Sequence, residues 1–158
     1  MWALALLACG GSSASSTELV REVRGYNNGI RWRDFSAAAL RVAPRERTEF
    51  LDRRDKLDED LRVADWEMTR LEVDDSRYKA VVQVEYTWML DSSGIVHTTV
   101  ARQFWARHGD RWLLDHEERL RGDPMPGVAE PRARRRGDAP AEPTSNEGTD
   151  RDGGSAPP

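Results

Sequence analysis

Residues 78–118 alternate between apolar and polar positions, a pattern that predicts β-strands. Two alternating runs flank the sequence His108-Gly109-Asp110, and an earlier run over residues 78–90 leads into the polar segment 91–94. Short polar loops that contain glycine are typical of β-hairpin connections. The pattern therefore predicts three consecutive antiparallel strands, joined by one turn near Gly94 and another near Gly109.

Counting outward from each turn predicts the pairing of residues across the strands, since side chains alternate between the two faces of a sheet. For the first hairpin, the predicted pairs are Trp88–His97, Tyr86–Thr99, Val84–Ala101 and Val82–Gln103. For the second hairpin, they are Trp105–Trp112, Gln103–Leu114 and Ala101–His116. This register places the aromatic and aliphatic residues on one face. The opposite, mostly charged face includes Asp115 and Glu117, so the sequence predicts an antiparallel sheet that is covered on one face.

The residues before this sheet have helical spacing. Leu19, Val23, Tyr26 and Ile30 recur at intervals of 4, 3 and 4, which predicts a helix over residues 17–32. Asp34 is expected to cap a second, short helix over 35–41. Pro44 suits the first turn of a third helix, expected to extend to about residue 58. Its expected core anchors are Phe50, Leu51 and Leu57.

Residues 63–73 alternate less regularly, because Trp66 and Met68 would share one face and Leu71 and Val73 the other. This irregularity predicts a fourth strand that contains a β-bulge. The order is then three helices followed by four antiparallel strands, which defines an α+β class. The expected domain covers residues 17–121, with N-terminal helices packed on a mainly four-stranded antiparallel sheet.

The N-terminal segment points to a membrane anchor. Leu6-Leu7-Ala8-Cys9 resembles the bacterial lipoprotein signal box, in which the cysteine is lipidated and becomes the mature N-terminus. Cys9 is the only cysteine in the chain. Residues 1–9 are thus interpreted as a signal, short enough to suggest a start further upstream, and residues 10–16 as a flexible tether. A frayed apolar terminus with an incidental cysteine is the alternative. Gly10 after the cysteine favours the outer membrane, facing the periplasm.

The last part of the chain has a different composition. Seven of the eight prolines lie after residue 121, and Met125 and Val128 are the only sizeable apolar side chains there. Such a stretch buries too little apolar surface to offset its ordering entropy. Residues 122–158 are therefore predicted to be a disordered tail. The basic run 132–136 could contact an anionic surface, but a solvated tail is the favoured interpretation.

The charge distribution and the absence of known motifs argue against several classes of function. The formal net charge is −4, and basic residues are scattered among as many acidic ones, so no basic stripe suggests nucleic-acid binding. Phosphate-binding glycine loops, metal-type Cys/His spacing and G-x-S-x-G nucleophile motifs are all missing. Asp58, Glu59 and Asp60 are a weak metal candidate, because adjacent residues on a helix point apart. No cofactor is expected.

Several segments together resemble the nuclear transport factor 2-like superfamily, and in particular its bacterial lipoprotein members of unassigned function. They are Tyr26-Asn27-Asn28-Gly29-Ile30-Arg31-Trp32, the helix start at 44–50, Ala64-Asp65-Trp66-Glu67, Gln103-Phe104-Trp105 and Gly109-Asp110-Arg111-Trp112-Leu113-Leu114. The resemblance covers roughly residues 19–119. It implies a curved sheet wrapped around helices as a cone, with a pocket between them.

The superfamily includes isomerases, dehydratases and epoxide hydrolases with Asp, His or Tyr in that pocket, as well as many non-enzymatic binding modules, so the fold alone leaves the function open. The candidate catalytic residues are His116, Asp65 and Tyr86. The candidate ligand-binding residues, which would line the pocket, are Tyr86, Trp88, Gln103, Trp105, Trp112 and His116. A structural histidine and core tryptophans are the alternative interpretation of the same positions.

Three hypotheses of function follow. The favoured one is a non-catalytic envelope lipoprotein, anchored through Cys9, that binds a small apolar ligand or an envelope protein. The second is a small isomerase or hydro-lyase that acts on a hydrophobic substrate. The third is a scaffold for envelope assembly that forms a homodimer through its sheet.

Overall fold

The computed structural model describes residues 11–57 and 59–131, with side chains described from residue 16 onward. Within these residues, three α-helices and one 3₁₀ turn precede a four-stranded sheet in the order β1-β2-β3-β4, with each neighbouring pair antiparallel. This arrangement confirms the predicted α+β class. The helices are α1 (Gly11–Arg31), α2 (Phe35–Ala39), the 3₁₀ turn Pro44–Glu46 and α3 (Arg47–Asp55). The strands are β1 (Leu61–Val73), β2 (Lys79–Leu90), β3 (Val96–His108) and β4 (Arg111–Gly122).

Helix α1 buries the predicted apolar stripe, Leu19, Val23, Tyr26 and Ile30. It begins at Gly11, six residues before the predicted start, so residues 11–16 of the predicted flexible tether are helical. Once a helix is nucleated, each added residue gains a hydrogen bond for the two dihedrals it fixes. The segment before Thr17 contains no proline to stop this extension.

The two later helices are shorter than predicted. Asp34 caps α2 as expected, since its Oδ1 accepts a hydrogen bond from the backbone N–H of Ala37 at 3.0 Å. Helix α2 ends at Ala39, and α3 ends at Asp55. Gly29 of α1 lets α2 approach closely, because a Cβ atom there would lie 2.8 Å from the Cβ of Ala38.

The first predicted hairpin is correct in its register. Strands β2 and β3 form all four expected pairs, from Trp88–His97 to Val82–Gln103. The irregular pattern of β1 also corresponds to real irregularities, because its pairing with β2 shifts between Val63 and Asp65 and again between Met68 and Arg70. Local alternation and turn chemistry were sufficient to define this part of the sheet.

The second predicted hairpin is wrong in its register. The loop contains only Gly109 and Asp110, because His108 pairs with Arg111, and Gly109 has a φ of 68°. A two-residue loop with positive φ follows the twist of the strands better than the predicted longer one. Trp105 therefore faces Leu114 instead of Trp112.

A β-bulge in β4 changes the register a second time. Trp105 pairs with Leu114 but Phe104 pairs with His116, so Asp115 is an extra residue in β4. Residues 116–119 are therefore moved to the opposite face from the one that simple alternation predicts, until a second extra residue, Leu120, restores the alternation. His116 thus lies opposite Phe104, and Glu117 lies opposite Gln103 on the covered face. The predicted inward position of His116 and outward position of Glu117 are both wrong.

The domain extends beyond the predicted boundary at residue 121. Met125 and Val128 are buried in the core, with Met125 only 2% exposed. The Arg119 N–H donates to the Ala129 carbonyl at 2.7 Å, and the Thr99 hydroxyl donates to the Asp123 carbonyl at 2.6 Å. We call residues 123–131 the C-terminal strap. The rest of the predicted disordered tail, from residue 132, lies outside the described residues.

Because the strap depends on its two apolar side chains, we expect Met125→Ala to lower the free energy of unfolding by about 2–5 kcal/mol. Leu120→Ala is the control, since Leu120 is a nearby exposed residue of β4 and its loss should cost less than about 1 kcal/mol. Chemical denaturation of both variants measures the difference. Equal stability of Met125→Ala and the wild type would contradict the inclusion of the strap in the folded domain.

Candidate functional site

A buried polar cluster lies between the helices and the covered face of the sheet. The Tyr26 hydroxyl of α1 donates to Glu117 Oε2 of β4 at 2.9 Å, and the Tyr86 hydroxyl of β2 lies 2.9 Å from Glu117 Oε1. Gln103 Nε2 of β3 lies 2.9 Å from the same Oε1. The Glu117 carboxylate therefore joins one helix and three neighbouring strands.

Asn27 completes the hydrogen bonding around the two tyrosines. Its Oδ1 accepts from Gln103 Nε2 at 3.0 Å and contacts the Tyr86 hydroxyl, while its Nδ2 donates to the Val23 carbonyl at 2.8 Å. Polar groups that are buried with such partners avoid the desolvation penalty of unpaired ones.

Arg54 of α3 supplies the positive charge of the cluster. Its side chain is 1% exposed, and its Nη2 lies 3.7 Å from Glu117 Oε2. Burial by itself would lower the pKa of Arg54, but the neighbouring Tyr26 and Glu117 side chains outweigh it and raise that pKa. Its Nε and Nη1 atoms have no hydrogen-bond partner among the described residues. Arg54 is thus a desolvated cation whose main compensation is one carboxylate.

The same environment keeps both tyrosines protonated. Burial raises the pKa of Tyr26 far above its usual value of 10.0, and the neighbouring Glu117 carboxylate adds to this effect. The pKa of Tyr86 is raised for the same two reasons, with burial first. A phenolate here would lose its hydration and face a negative charge. The tyrosines therefore act as hydrogen-bond donors to Glu117.

A cavity of about 220 Å³ adjoins this cluster. The aromatic residues Tyr26 and Phe50 and the buried Glu117 are among the residues that line it. The other lining residues come from the segment after α2, from the 3₁₀ turn and α3, from β4 and from the C-terminal strap: Val42, Glu46, Glu49, Arg53, Leu114, Asp115, His116, Gly127, Ala129 and Glu130. The cavity therefore combines two aromatic residues with seven charged or titratable ones, a more polar lining than most small-molecule sites have.

The charged margin is largely neutralised by ion pairs. Arg53 bonds to Glu49 at 2.8 Å, and Arg119 pairs with Glu130. Asp115 accepts a hydrogen bond from His108 Nε2 at 3.0 Å when that nitrogen carries the proton. Exposed pairs of this kind contribute little to stability, but they cancel the excess of carboxylates around the opening.

The predicted site residues separate into two groups. Tyr86 and Gln103 lie together in the polar cluster, as described above. Trp105 is buried beside them, with its Nε1 3.3 Å from Gln103 Oε1, and Trp112 is also fully buried. Trp88 donates from Nε1 to Thr99 Oγ1 at 2.8 Å. The three tryptophans are core residues, and none of them borders the cavity.

Asp65 and His116 lie away from the polar cluster. The Asp65 carboxylate pairs with Arg31 at 2.9 Å on an exposed part of β1. The His116 ring stacks on Phe104 with 5.9 Å between ring centroids, and its Nε2 lies 3.5 Å from Glu118. The three candidate catalytic residues therefore do not form one site, although His116 borders the cavity. Within residues 11–57 and 59–131, no group of three His, Cys, Asp or Glu side chains could hold a metal ion. The weak metal candidate includes Asp58, which lies outside this range.

Sequence reasoning missed the cluster members Asn27, Arg54 and Glu117. Arg54 carried a detectable signal, because Phe50, Arg54 and Leu57 are spaced by 4 and 3 and so share one face of a helix with two core anchors. Glu117 carried none, since only the bulge at Asp115 turns it inward.

Comparisons with known proteins do not identify a relative. A scan against protein-family models finds no match, and searches of curated proteins and of solved structures also find none. Among the described residues, no helix has both the length and the apolar character needed to cross a membrane. The site must therefore be interpreted from its own chemistry.

We expect Arg54→Met to lower the free energy of unfolding by about 3–5 kcal/mol, because it leaves the Glu117 charge buried without its cation. The neighbouring, half-exposed Arg53 is the matched control, and Arg53→Met should cost less than about 1 kcal/mol. A double-mutant cycle that adds Glu117→Gln should show a smaller loss than the sum of the two single losses. Strict additivity in denaturant titrations would contradict the proposed pairing.

The tyrosine pKa values predict a loss of stability in alkali. The unfolded chain releases tyrosine protons near pH 10, whereas the folded chain keeps those of Tyr26 and Tyr86. Their contribution to stability is complete below about pH 10 and is lost as the pH rises further, by about 1.4 kcal/mol per pH unit for each proton. Tyr26→Phe removes one of these protons, so it should reduce the slope of stability against pH by about 1.4 kcal/mol per pH unit.

Tyr78→Phe is the control for this prediction, because Tyr78 is an exposed tyrosine in the turn before β2, outside the buried cluster. Urea denaturation across the range from pH 8 to pH 11 measures the slopes. Identical slopes for Tyr26→Phe and Tyr78→Phe would contradict the assignment.

Proposed function

We propose that this chain is a bacterial envelope lipoprotein, anchored through Cys9, whose nuclear transport factor 2-like domain binds a small ligand with an apolar body. The observation that carries the proposal is the cavity lined by Tyr26, Phe50 and the buried Glu117. The order of the described elements, three helices followed by a four-stranded antiparallel sheet, supports the assignment to this fold family.

The size of the cavity supports a ligand of about one ring. A volume of about 220 Å³ is below that of pockets for drug-sized molecules, which start at roughly 300 Å³. It exceeds the roughly 150 Å³ of an engineered apolar cavity that holds benzene. The aromatic walls would contact the apolar body, while the ion-paired margin would meet a polar substituent.

Binding without catalysis is supported by the state of the polar groups. The Glu117 oxygens are within hydrogen-bond distance of Tyr26, Tyr86 and Gln103, and Arg54 is close by. A general base must instead present a free lone pair to the substrate proton. The His116 ring stacks on Phe104, and its Nε2, 3.5 Å from Glu118, is buried without a hydrogen-bond partner among the described residues, so this nitrogen is not exposed to a substrate.

One observation favours the alternative of a small isomerase or hydro-lyase. Both Tyr26 and Glu117 border the cavity, and their oxygen atoms are 2.9 Å apart. A proton donor next to a carboxylate is the arrangement that proton transfer requires. Entry of a substrate would then have to displace the Tyr26 hydroxyl from Glu117.

The proposed anchor rests on the sequence Leu6-Leu7-Ala8-Cys9. Acyl chains on Cys9 would insert into the bilayer and stabilise attachment by about 0.8 kcal/mol per buried methylene group. The proposed location is the outer membrane, facing the periplasm.

We expect phenol, a soluble one-ring probe, to bind saturably and to shift the backbone amide resonances of Phe50, Leu114 and His116. Ala129→Phe should abolish these shifts by filling the cavity, since Ala129 is one of its walls. Ala106→Phe is the matched control, because Ala106 is an equally half-buried alanine in β3 that does not border the cavity. Binding that survives Ala129→Phe, or no binding at all, would contradict the proposed site.

A further inference from the structure

We propose that the end of the domain formed by the β1–β2 and β3–β4 turns faces the phospholipid bilayer, while the β2–β3 turn points away from it. The inference rests on the proposed lipidation of Cys9. It goes beyond that proposal because it assigns a fixed orientation and a membrane-facing surface to the folded domain.

The direction of α1 across the sheet is the first observation that supports this orientation. Near its start, Glu18 pairs with Arg107, close to the end of β3, at 3.2 Å. In its middle, Tyr26 bonds to Glu117, and near its end Arg31 pairs with Asp65 of β1. Asp65 lies opposite Thr87, which in turn lies opposite Thr98 near the start of β3. Helix α1 thus runs antiparallel to β3, and its N-terminus lies at the β3–β4 turn.

The short connection between the proposed anchor and α1 is the second observation that supports this orientation. Only Gly10 separates Cys9 from Gly11, the first residue of α1. The seven helical residues before Glu18 span about 10 Å at 1.5 Å each, whereas β3 continues for only one residue past Arg107. The helix start therefore projects beyond the sheet on this side. A seven-residue flexible tether would let the domain tumble, but a helix that starts at Gly11 restricts it.

The chemistry of this end suits a lipid interface. Tyr78, in the β1–β2 turn, is 64% exposed, and tyrosine is enriched at the level of lipid headgroups. The exposed Lys79 and Arg111 flank the two turns and would meet anionic headgroups. Asp75 and Asp110 offset both of these positive charges, so the exposed aromatic side chain and the helix geometry, not electrostatics, support the orientation.

This orientation also places the cavity away from the bilayer. The first cavity residue of β4, Leu114, follows Asp110 of the turn by four residues, or about 13 Å of extended strand. A ligand in the cavity would then enter from the aqueous side of the headgroup region.

The test compares two matched labels in the full lipidated chain. Gly109 and Gly94 lie in turns at opposite ends of the sheet, both have positive φ values (68° and 64°), and a Cβ atom at either has nothing within 4 Å. Since Cys9 is acylated, Gly109→Cys or Gly94→Cys supplies the single free thiol for a bimane fluorophore. Each protein is reconstituted into phosphatidylethanolamine–phosphatidylglycerol vesicles that contain a headgroup spin-labelled lipid, which quenches nearby fluorophores.

We expect several-fold stronger quenching at Gly109→Cys than at Gly94→Cys. Equal quenching, or stronger quenching at Gly94→Cys, would overturn the proposed orientation. Intact-protein mass spectrometry distinguishes a failure of the proposed anchor from a failure of the proposed orientation. An acylated protein with the wrong quenching pattern refutes the orientation alone, whereas a protein without acyl mass refutes the anchor and the orientation together.

Discussion

The Glu117 carboxylate is the interaction on which the rest of the structure depends. It accepts hydrogen bonds from α1 and from the central strands, and it faces the guanidinium of Arg54 from α3. A charge in the interior is tolerated only when its partners replace the water it has lost. Helices α1 and α3 and strands β2, β3 and β4 must therefore be in place at once, which ties the packing of the helices to the register of the sheet.

The bulge at Asp115 is the local feature that makes this cluster possible. Without the extra residue, Glu117 would point to the solvated face and His116 would enter the core. The bulge also leaves Leu114 and Glu117 at the border of the cavity, next to Phe50. Stability and the candidate binding site thus share the same residues, so substitutions in the cluster are expected to affect both.

The C-terminal strap shows how a segment of unfavourable composition becomes part of a fold. Its backbone pairs with β4 at Ala129, and Met125 and Val128 fill space next to the helices. Gly127 is required where the strap passes Arg54, since its φ is 85° and a Cβ atom would lie 2.8 Å from Nη1. Composition averaged over the tail concealed these two apolar anchors, because their partners are distant in the sequence.

Local patterns by themselves determined the α+β class, the apolar stripe of α1, the Asp34 cap and the complete register of β2 with β3. These features arise from interactions between residues that are close in the chain or are joined by one tight turn. The tertiary structure alone decided the inward position of Glu117, its pairing with Arg54 and the docking of the strap. A bulge shifts every following side chain by one position, and a buried charge is stabilised only by partners from other elements. The alternation of apolar and polar residues within a single strand predicts neither the bulge nor the partners of the buried charge.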